Sequence, residues 1–273
     1  MRAALFWFLR LMRAYGQGVY QPWRLAVRHR LLLRQLLARD AIIQTAGTHL
    51  GRLWLLLGPG LQILAWWFVF DAVLRVRPMA HFSFLDYFLP TVLPWLFVQE
   101  TLSRCLSLLR EVRSLYERSV FPLVILPLLP LLLIWMVYTP LEVSVVAILH
   151  GPRAAMAATA FMILLPLLLL PWCYLFSLLG VFFPDGAYGM RFLLTLLFYF
   201  TPIIYTPQML PEVLQDILVW NPMATLLQVL HGLIGLAALD FHHAWYPLAC
   251  SLLITGPAWV LFSRMSMQIR EAL

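Results

Sequence analysis

Residues 154–182 read AAMAATAFMILLPLLLLPWCYLFSLLGVF and contain no charged side chain. A helix needs about 20 apolar residues to cross the hydrocarbon core of a bilayer, and this run is longer. The whole chain of 273 residues has the same character, because 63% of it is apolar, 11% is charged and its mean hydropathy is +0.85. The composition therefore predicts an all-α integral membrane protein and excludes a water-soluble globular enzyme.

Five further apolar runs of similar length are bounded by charges or by proline and glycine. With the first run they predict six transmembrane helices, at residues 53–74, 85–108, 120–149, 154–182, 188–206 and 245–263. A seventh stretch, 223–239, is long enough to cross, but prolines interrupt the sequence before it. We therefore interpret residues 207–239 as short re-entrant helices on the outer side of the membrane, ahead of the last span.

The arginines predict which side of the membrane each segment faces. The chain has 19 basic residues, all of them arginine. If both termini are cytoplasmic, only Arg75, Arg77 and Arg153 lie outside and the other 16 lie inside, which is the asymmetry that the positive-inside rule describes. The predicted organisation is a cytoplasmic basic region at 1–52, a six-span domain at 53–264 and a cytoplasmic tail at 265–273.

Residues 24–40, RLAVRHRLLLRQLLARD, combine arginines and leucines at a spacing that suits an amphipathic helix. Such a helix lies along a membrane surface with its basic side chains near lipid phosphates. We predict that it lies on the inner leaflet and that its polar face includes Arg28, Arg34, Arg39 and Asp40. The alternative is an arginine cluster that stops membrane insertion without forming a defined helix.

The absence of lysine limits the chemistry of the chain. Neither a G-x-x-x-x-G-K-[ST] phosphate-binding loop nor a Schiff-base lysine can be built, so any ATPase that serves this protein lies on another polypeptide.

Catalytic and metal sites are not predicted from the serines and histidines. The serines lack a nucleophile-elbow context, and the adjacent His242 and His243 would point about 100° apart on a helix. The three cysteines are predicted to be buried thiols.

Asp71, Glu100 and Glu142 fall inside predicted spans, where burying an unpaired charge is costly. Asp71 precedes Arg75 by four residues and Glu100 precedes Arg104 by four, so each pair is predicted to form an ion pair along its own helix. Glu142 has no basic neighbour at that spacing. It is predicted either to face a water-filled path or to lie at the outer interface.

Five short motifs occur at defined positions relative to the predicted spans. They are Leu50-Gly51-x-x-Trp54-x-x-x-x-Pro59, Phe121-Pro122-x-x-Ile125-Leu126-Pro127, Phe183-Pro184-Asp185, Pro202-x-x-Tyr205-x-x-x-Met209-Leu210-Pro211 and Trp220-Asn221-Pro222. In this order and spacing they resemble the permease subunit of type 2 ABC exporters for bacterial polysaccharides, especially the O-antigen, capsule and teichoic acid group. The resemblance covers about residues 30–265.

The resemblance implies a homodimer that docks on two copies of a separate ATPase, which would hold the ATP and Mg²⁺, with no cofactor on this chain. The assembly would move a lipid-linked glycan across the bacterial inner membrane, without contact to nucleic acid. The basic N-terminal helix and the loop between the second and third spans would touch the ATPase. The coupling residues so predicted are Arg110, Glu111, Arg113, Glu117, Arg118, Phe121 and Pro122. The chain departs from the family pattern at Leu123 and Pro184, where members commonly carry a charged residue and an arginine, respectively.

Aromatic side chains in and beside the spans are suited to line the path of such a glycan. Ring faces stack on the C–H face of a sugar, and tyrosine and tryptophan donate hydrogen bonds to its hydroxyls. The candidates for this path are Trp66, Trp95, Tyr199 and Tyr205. The alternative is an interfacial aromatic belt together with lipid-facing bulk.

Two other functions fit the composition. A permease of the same fold could move a drug, a lipid or a peptide instead of a glycan. A third hypothesis is an integral membrane glycosyltransferase or acyltransferase. Such enzymes typically show acidic or histidine-acid motifs in their loops, and this sequence has no D-D or D-x-D motif.

Overall fold

The computed structural model of the chain describes residues 2–45, 47–78, 82–111, 122–238 and 242–272, and every regular element in those residues is helical. The helices are α1 (Arg2–Arg28), α2 (Arg30–Thr45), α3 (Trp54–Trp67, continued by the π-helical Phe68–Val73), α4 (Phe84–Glu111), α5 (Leu128–His150), α6 (Pro152–Phe182), α7 (Pro184–Tyr199), α8 (Glu212–Leu218), α9 (Pro222–Leu233) and α10 (Trp245–Ala272). Short 3₁₀ segments occur at Gly51–Leu53, Leu123–Ile125 and Pro207–Met209. The predicted all-α class is confirmed for these residues.

Among the described residues, four helices are long and apolar enough to cross a membrane: Trp54–Val73, Leu123–His150, Pro152–Phe182 and Trp245–Met265. They coincide with the first, third, fourth and sixth predicted spans, and α4 contains the second. The helices α8 and α9 would provide a fifth crossing if they formed one segment, but they meet at an angle of 94°. The chain is thus a multi-pass helical protein, and the total of six spans stays a prediction.

The fifth predicted span, 188–206, is wrong in its bounds. The helix α7 begins at Pro184 and ends at Tyr199, and residues 200–206 form turns. Proline is favoured at the first position of a helix, where its missing N–H is not needed. Pro202 has no N–H to give to a continuing helix, so the chain leaves the helical path just before it.

The core of the bundle is formed by α4, α5, α6 and α10. The helices α6 and α4 approach closely at Gly180, where an added Cβ atom would overlap the carbonyl oxygen of Leu106. The helix α1 packs along α10, and a Cβ atom on Gly18 would lie 2.8 Å from Cγ2 of Thr255. Glycines of this kind let helix backbones approach closely, which is a main source of packing energy between helices in a membrane.

Prolines inside helices leave a backbone carbonyl free, because the carbonyl four residues earlier loses its N–H partner. At Pro90, Pro166 and Pro257 a side chain from another helix donates to the freed carbonyl. The donor and acceptor pairs are His150 Nε2 with Asp86 O at 3.0 Å, Trp135 Nε1 with Met162 O at 2.6 Å, and the Tyr15 hydroxyl with Leu253 O at 3.1 Å. Such bonds satisfy kinked helices in apolar surroundings, and here they tie α5 to α4 and α6, and α1 to α10.

The helix α3 stands apart from this core. No residue of Trp54–Val73 is buried, and one side of the helix, which includes Ile63, Trp66 and Phe70, packs against the core. The chain then turns at Arg75, whose φ of 54° lies in the left-handed region. Most of the surface of α3 is therefore open in the single chain.

The predicted amphipathic helix at 24–40 is helical but interrupted. The helix α1 ends at Arg28 and α2 begins at Arg30, with a turn at His29 between them. Leu33 and Leu36 are buried, and all the arginines of the stretch are exposed. The buried side of the segment is thus apolar, and its exposed side carries the arginines together with Val27 and Leu31. Its position at a membrane surface stays a prediction.

Candidate functional site

The turn that follows α7 is held against α4 by a buried tyrosine. The hydroxyl of Tyr87 lies 2.9 Å from the carbonyl oxygen of Pro202 and 2.9 Å from that of Tyr205. The hydroxyl of Thr206 lies 3.4 Å from the carbonyl oxygen of Pro78. Backbone groups in an irregular segment need such partners when water is excluded. The turn is therefore built into the end of the bundle that the arginine distribution places outside.

The Trp-Asn-Pro motif at 220–222 joins the end of α7 to the start of α9. Asn221 is the N-cap of α9, and its side-chain oxygen accepts hydrogen bonds from the backbone N–H groups of Met223 at 3.0 Å and Ala224 at 3.4 Å. Its side-chain nitrogen donates to the carbonyl oxygen of Phe200 at 3.2 Å. Pro222 occupies the first helical position, where proline is favoured. A single side chain thus positions the bent pair of α8 and α9 against the end of α7.

The helix α9 is anchored in the bundle by His231, which is buried. Its Nε2 lies 2.6 Å from Oγ1 of Thr91 on α4, and its ring centroid lies 4.6 Å from that of Tyr87. The sequence analysis did not single out His231, although an imidazole in the apolar helix Pro222–Leu233 is a recognisable signal of a buried polar contact. The bent pair is therefore attached to the bundle through α9.

Three of the four predicted path residues surround the ring of Phe198, a residue that was not predicted from the sequence. Trp66 stacks on Phe198 with ring centroids 4.3 Å apart and an interplanar angle of 13°. The centroids of Trp95 and Tyr199 lie 6.3 Å and 5.1 Å from that of Phe198. The hydroxyl of Tyr205 donates to the carbonyl oxygen of Tyr199 at 2.9 Å. We call these five residues the aromatic cluster. The structure thus brings together all four residues predicted for the path.

Exposure separates the members of the aromatic cluster. The side chain of Tyr199 is 55% exposed, whereas Trp95 is completely buried and donates its Nε1–H to Oε1 of Gln99 at 3.0 Å. A buried ring cannot touch a substrate in this conformation. Trp95 therefore supports the packing of the cluster and Tyr199 offers an accessible surface, and a role of either residue in transport stays a prediction.

At the opposite end of the bundle, Arg104 of α4 forms an ion pair with Asp40 of α2. The guanidinium Nη2 lies 3.0 Å from Oδ1 and 3.1 Å from Oδ2, and both side chains are largely buried. The predicted pair of Glu100 with Arg104 is therefore wrong. Glu100 instead accepts a hydrogen bond from the hydroxyl of Tyr138 on α5 at 2.8 Å.

The predicted pair of Asp71 with Arg75 is also wrong. Asp71 pairs with Arg77 and accepts a hydrogen bond from Nε1 of Trp67 at 2.9 Å. Arg75 lies beyond the helix end in a left-handed conformation, so the four-residue helical spacing from Asp71 does not apply to it. Glu142 is completely buried, so it does not face an open path within this chain, and neither carboxyl oxygen has a hydrogen-bond partner among the described residues. Its predicted position at the outer interface stays a prediction.

The predicted coupling residues follow Arg104 in the chain, and the first two of them lie on the same helix, α4. Arg110 and Glu111 are exposed at the end of α4, and Pro122 precedes the 3₁₀ segment Leu123–Ile125. The hydroxyl of Tyr174 on α6 donates to the carbonyl oxygen of Val124 at 2.8 Å. The remaining coupling residues, Arg113, Glu117, Arg118 and Phe121, lie outside the described residues. Both flanks of residues 112–121 are thus tied to the helical core.

The chain has long apolar helices, an irregular aromatic-rich segment at one end of the bundle and exposed arginines at the other. These features define a multi-pass helical membrane protein.

No family model matches the chain. Three curated proteins similar to it are each named O-antigen export system permease protein RfbA. Two from Klebsiella pneumoniae are 22% and 21% identical over 86% of this chain and 92% of their own, and one from Myxococcus xanthus is 26% identical over 73% of this chain and 78% of its own. These relatives confirm the resemblance to permease subunits of bacterial polysaccharide exporters.

Proposed function

We propose that the chain is the permease subunit of an ATP-driven exporter that moves a lipid-linked polysaccharide, of the O-antigen or capsule type, across the bacterial inner membrane. The observation that carries the proposal is the similarity to O-antigen export permeases, which spans 86% of this chain and 92% of a K. pneumoniae relative. Four helices able to cross a membrane and an exposed aromatic surface beside them support it. Both termini would be cytoplasmic, as the arginine distribution predicts.

In the proposed assembly, two copies of the chain dock on two copies of a separate ATPase that holds ATP and Mg²⁺. A separate ATPase is needed because this chain has no lysine for a phosphate-binding loop. The open surface of α3, in which no residue is buried, is consistent with a second copy of the chain as neighbour.

Coupling to ATP hydrolysis would occur at the cytoplasmic end. The exposed arginines of α2 and the exposed Arg110 and Glu111 would offer charged side chains to the ATPase. Because Asp40 and Arg104 join α2 to α4, a displacement of residues 112–121 by the ATPase would move both helices together. Tyr174 would pass the same displacement to α6 through the carbonyl group of Val124.

The bent pair of α8 and α9 would be the re-entrant element that closes the outer exit. Its 94° bend and its anchors at Asn221 and His231 suit a segment that enters the membrane and returns. Three members of the aromatic cluster, Phe198, Tyr199 and Tyr205, lie directly before it in the chain. Tyr199 would offer a ring face to a passing sugar without a charge that could trap it.

A deletion of the gene tests the proposal. The strain is expected to lose its surface polysaccharide and to accumulate the lipid-linked glycan inside the cell, and the wild-type gene is expected to restore export. An unchanged surface polysaccharide would contradict the proposal. Altered resistance to a drug or peptide, without a change in glycan, would favour the alternative permease function.

A further inference from the structure

A groove lined by both polar and apolar side chains lies between α3 and α4, in the half of the bundle nearer the predicted cytoplasmic end. Its volume is about 490 Å³. The wall on α3 includes Gly58 and Gln62, and the wall on α4 includes Gln99, Glu100 and Ser103, with Tyr138 of α5 beside them. We call it the polar groove. It differs from the larger part of the membrane-facing surface, which is apolar.

Hydrogen bonds within the protein orient these side chains and use only part of their capacity. The Gln99 Oε1 accepts from Trp95 at 3.0 Å, which leaves the NH₂ group of Gln99 as a donor. The Glu100 Oε2 accepts from Tyr138 at 2.8 Å, which leaves Oε1 as an acceptor. Ser103 adds a hydroxyl that can donate and accept. Fixed polar groups with unused capacity in an apolar protein are a feature of ligand sites.

The charge of the groove limits the ligand. No basic side chain belongs to the lining of the groove in the described part of the chain, so the groove is not suited to hold the phosphate of a lipid carrier. Carboxamide, carboxyl and hydroxyl groups are instead suited to neutral hydroxyls, and Trp54 at the edge of the groove adds a ring face that is 40% exposed. These properties match a saccharide.

We infer that the polar groove is a saccharide-binding site, which takes a short segment of the glycan and hydrogen-bonds its hydroxyls through Gln99, Glu100 and Ser103. This inference rests on the proposed function, and it assigns the first hydrogen bonds of the sugar chain to polar groups outside the aromatic cluster. The position of the groove near the cytoplasmic end is where the glycan would be loaded.

The groove leads into the aromatic cluster. Trp66 follows Gln62 by four residues on α3, and Trp95, Gln99 and Ser103 are spaced by four on α4. Residues four apart lie on the same face of a helix. A sugar chain that leaves the groove along α3 would therefore meet Trp66 next.

Two glycines of α3 provide a matched pair of variants for export. An added Cβ atom would meet nothing within 4 Å at either Gly58 or Gly60, but only Gly58 belongs to the groove lining. Gly58→Phe is expected to place a ring in the groove, exclude the sugar sterically and lower surface polysaccharide about ten-fold, the change that a ten-fold weaker binding gives at low substrate concentration. Gly60→Phe, at equal protein level and equal dimer content, is expected to leave surface polysaccharide unchanged.

Binding can be measured directly on the full permease with its ATPase in inside-out membrane vesicles. Ser103→Cys would be labelled with a membrane-impermeant maleimide, with the wild-type protein as the background. The probe is the polysaccharide released from the source strain by mild acid, and polyethylene glycol of similar size is the control. At a probe concentration of about twice the Kd, labelling should slow about three-fold, and polyethylene glycol should have no effect. Adding Glu100→Ala should raise the concentration for half protection about ten-fold.

The outcomes separate this inference from the proposed function. If the deletion strain keeps its surface polysaccharide, the proposed function fails. If the deletion strain loses it, but Gly58→Phe exports as well as Gly60→Phe and the polysaccharide does not protect Ser103→Cys, the chain is an exporter and the groove is not its saccharide site. Protection that persists unchanged with Glu100→Ala would also overturn the assignment.

Discussion

Asp40 of α2 and Arg104 of α4 form a largely buried ion pair, in which one guanidinium nitrogen lies 3.0 Å and 3.1 Å from the two carboxyl oxygens. The two residues are 64 positions apart, and Arg104 lies two turns before the end of α4. The pair thus joins the basic N-terminal helix to the helix that leads into the predicted coupling segment. In the proposed transporter it is the link through which α2 and α4 respond together.

Asp40→Asn removes the negative charge and leaves the Arg104 guanidinium without its partner. Because both side chains are largely buried, the expected loss of stability is about 1–3 kcal/mol. Export should fall while the ATPase subunit still hydrolyses ATP. Arg34→Gln, which changes an exposed arginine of the same helix, is the control for stability. Equal thermal stability of the two purified variants would show that the ion pair does not join the helices energetically.

Gly180→Ala is expected to disrupt the crossing of α6 and α4, because the new methyl group would overlap the carbonyl oxygen of Leu106. The overlap is with backbone and cannot be relieved by rotating a side chain, so the loss of stability should lie at the upper end of overpacking effects, about 3 kcal/mol. Gly189→Ala in α7 is the control, since its methyl group would meet nothing within 4 Å. The two variants are compared by protein level and by unfolding in detergent, and equal values for both would contradict the close crossing.

Trp135→Phe tests whether side chains satisfy the carbonyls that prolines leave free. The variant loses the Nε1–H that donates to Met162 O at 2.6 Å, and the expected cost is about 1 kcal/mol. Pro166→Ala supplies a backbone N–H for the same carbonyl group. Trp135→Phe should therefore cost less in the Pro166→Ala background than in the wild type, as a double-mutant cycle measures. Additive effects would mean that the Trp135 indole does not replace the missing backbone donor.

Tyr199→Ala should lower export with little effect on stability, because the ring is 55% exposed and packs mainly on Phe198. Trp95→Ala should behave differently. It empties a completely buried position, which costs about 3–5 kcal/mol, so its main effect should be on protein level. Surface polysaccharide normalised to the amount of permease distinguishes the two. Normal export by Tyr199→Ala, also in combination with Tyr205→Ala, would remove these rings from the glycan path.

The helices could be predicted from sequence because a membrane span depends on the local length of an apolar run. The interaction partners of the charged residues could not be predicted in this way. The four-residue spacing predicted Glu100 with Arg104, but the structure uses Tyr138 for the first and Asp40 for the second, 38 and 64 residues away. Such pairs depend on how helices pack against each other, and a single sequence contains no direct record of that packing.

The aromatic cluster likewise contains residues that could be predicted from the sequence and one that could not. Trp66, Trp95, Tyr199 and Tyr205 could be selected by residue type, but nothing local distinguishes Phe198, whose ring lies among three of them, from the neighbouring Phe200. The end of α7 at Tyr199 was also missed, because the apolar run continues to Thr206. The turn there is held by Tyr87, a residue more than 100 positions away.

ATP-dependent transport by the purified complex is the most direct test of the proposed function. The permease and its ATPase would be reconstituted into liposomes with the ATPase outside and the lipid-linked polysaccharide in the outer leaflet, and a lectin added outside would report the accessible glycan. ATP is expected to make the glycan progressively inaccessible to the lectin, and a complex with a hydrolysis-deficient ATPase should show no change. If the active complex hydrolyses ATP and the glycan stays fully accessible, the chain does not export this polysaccharide.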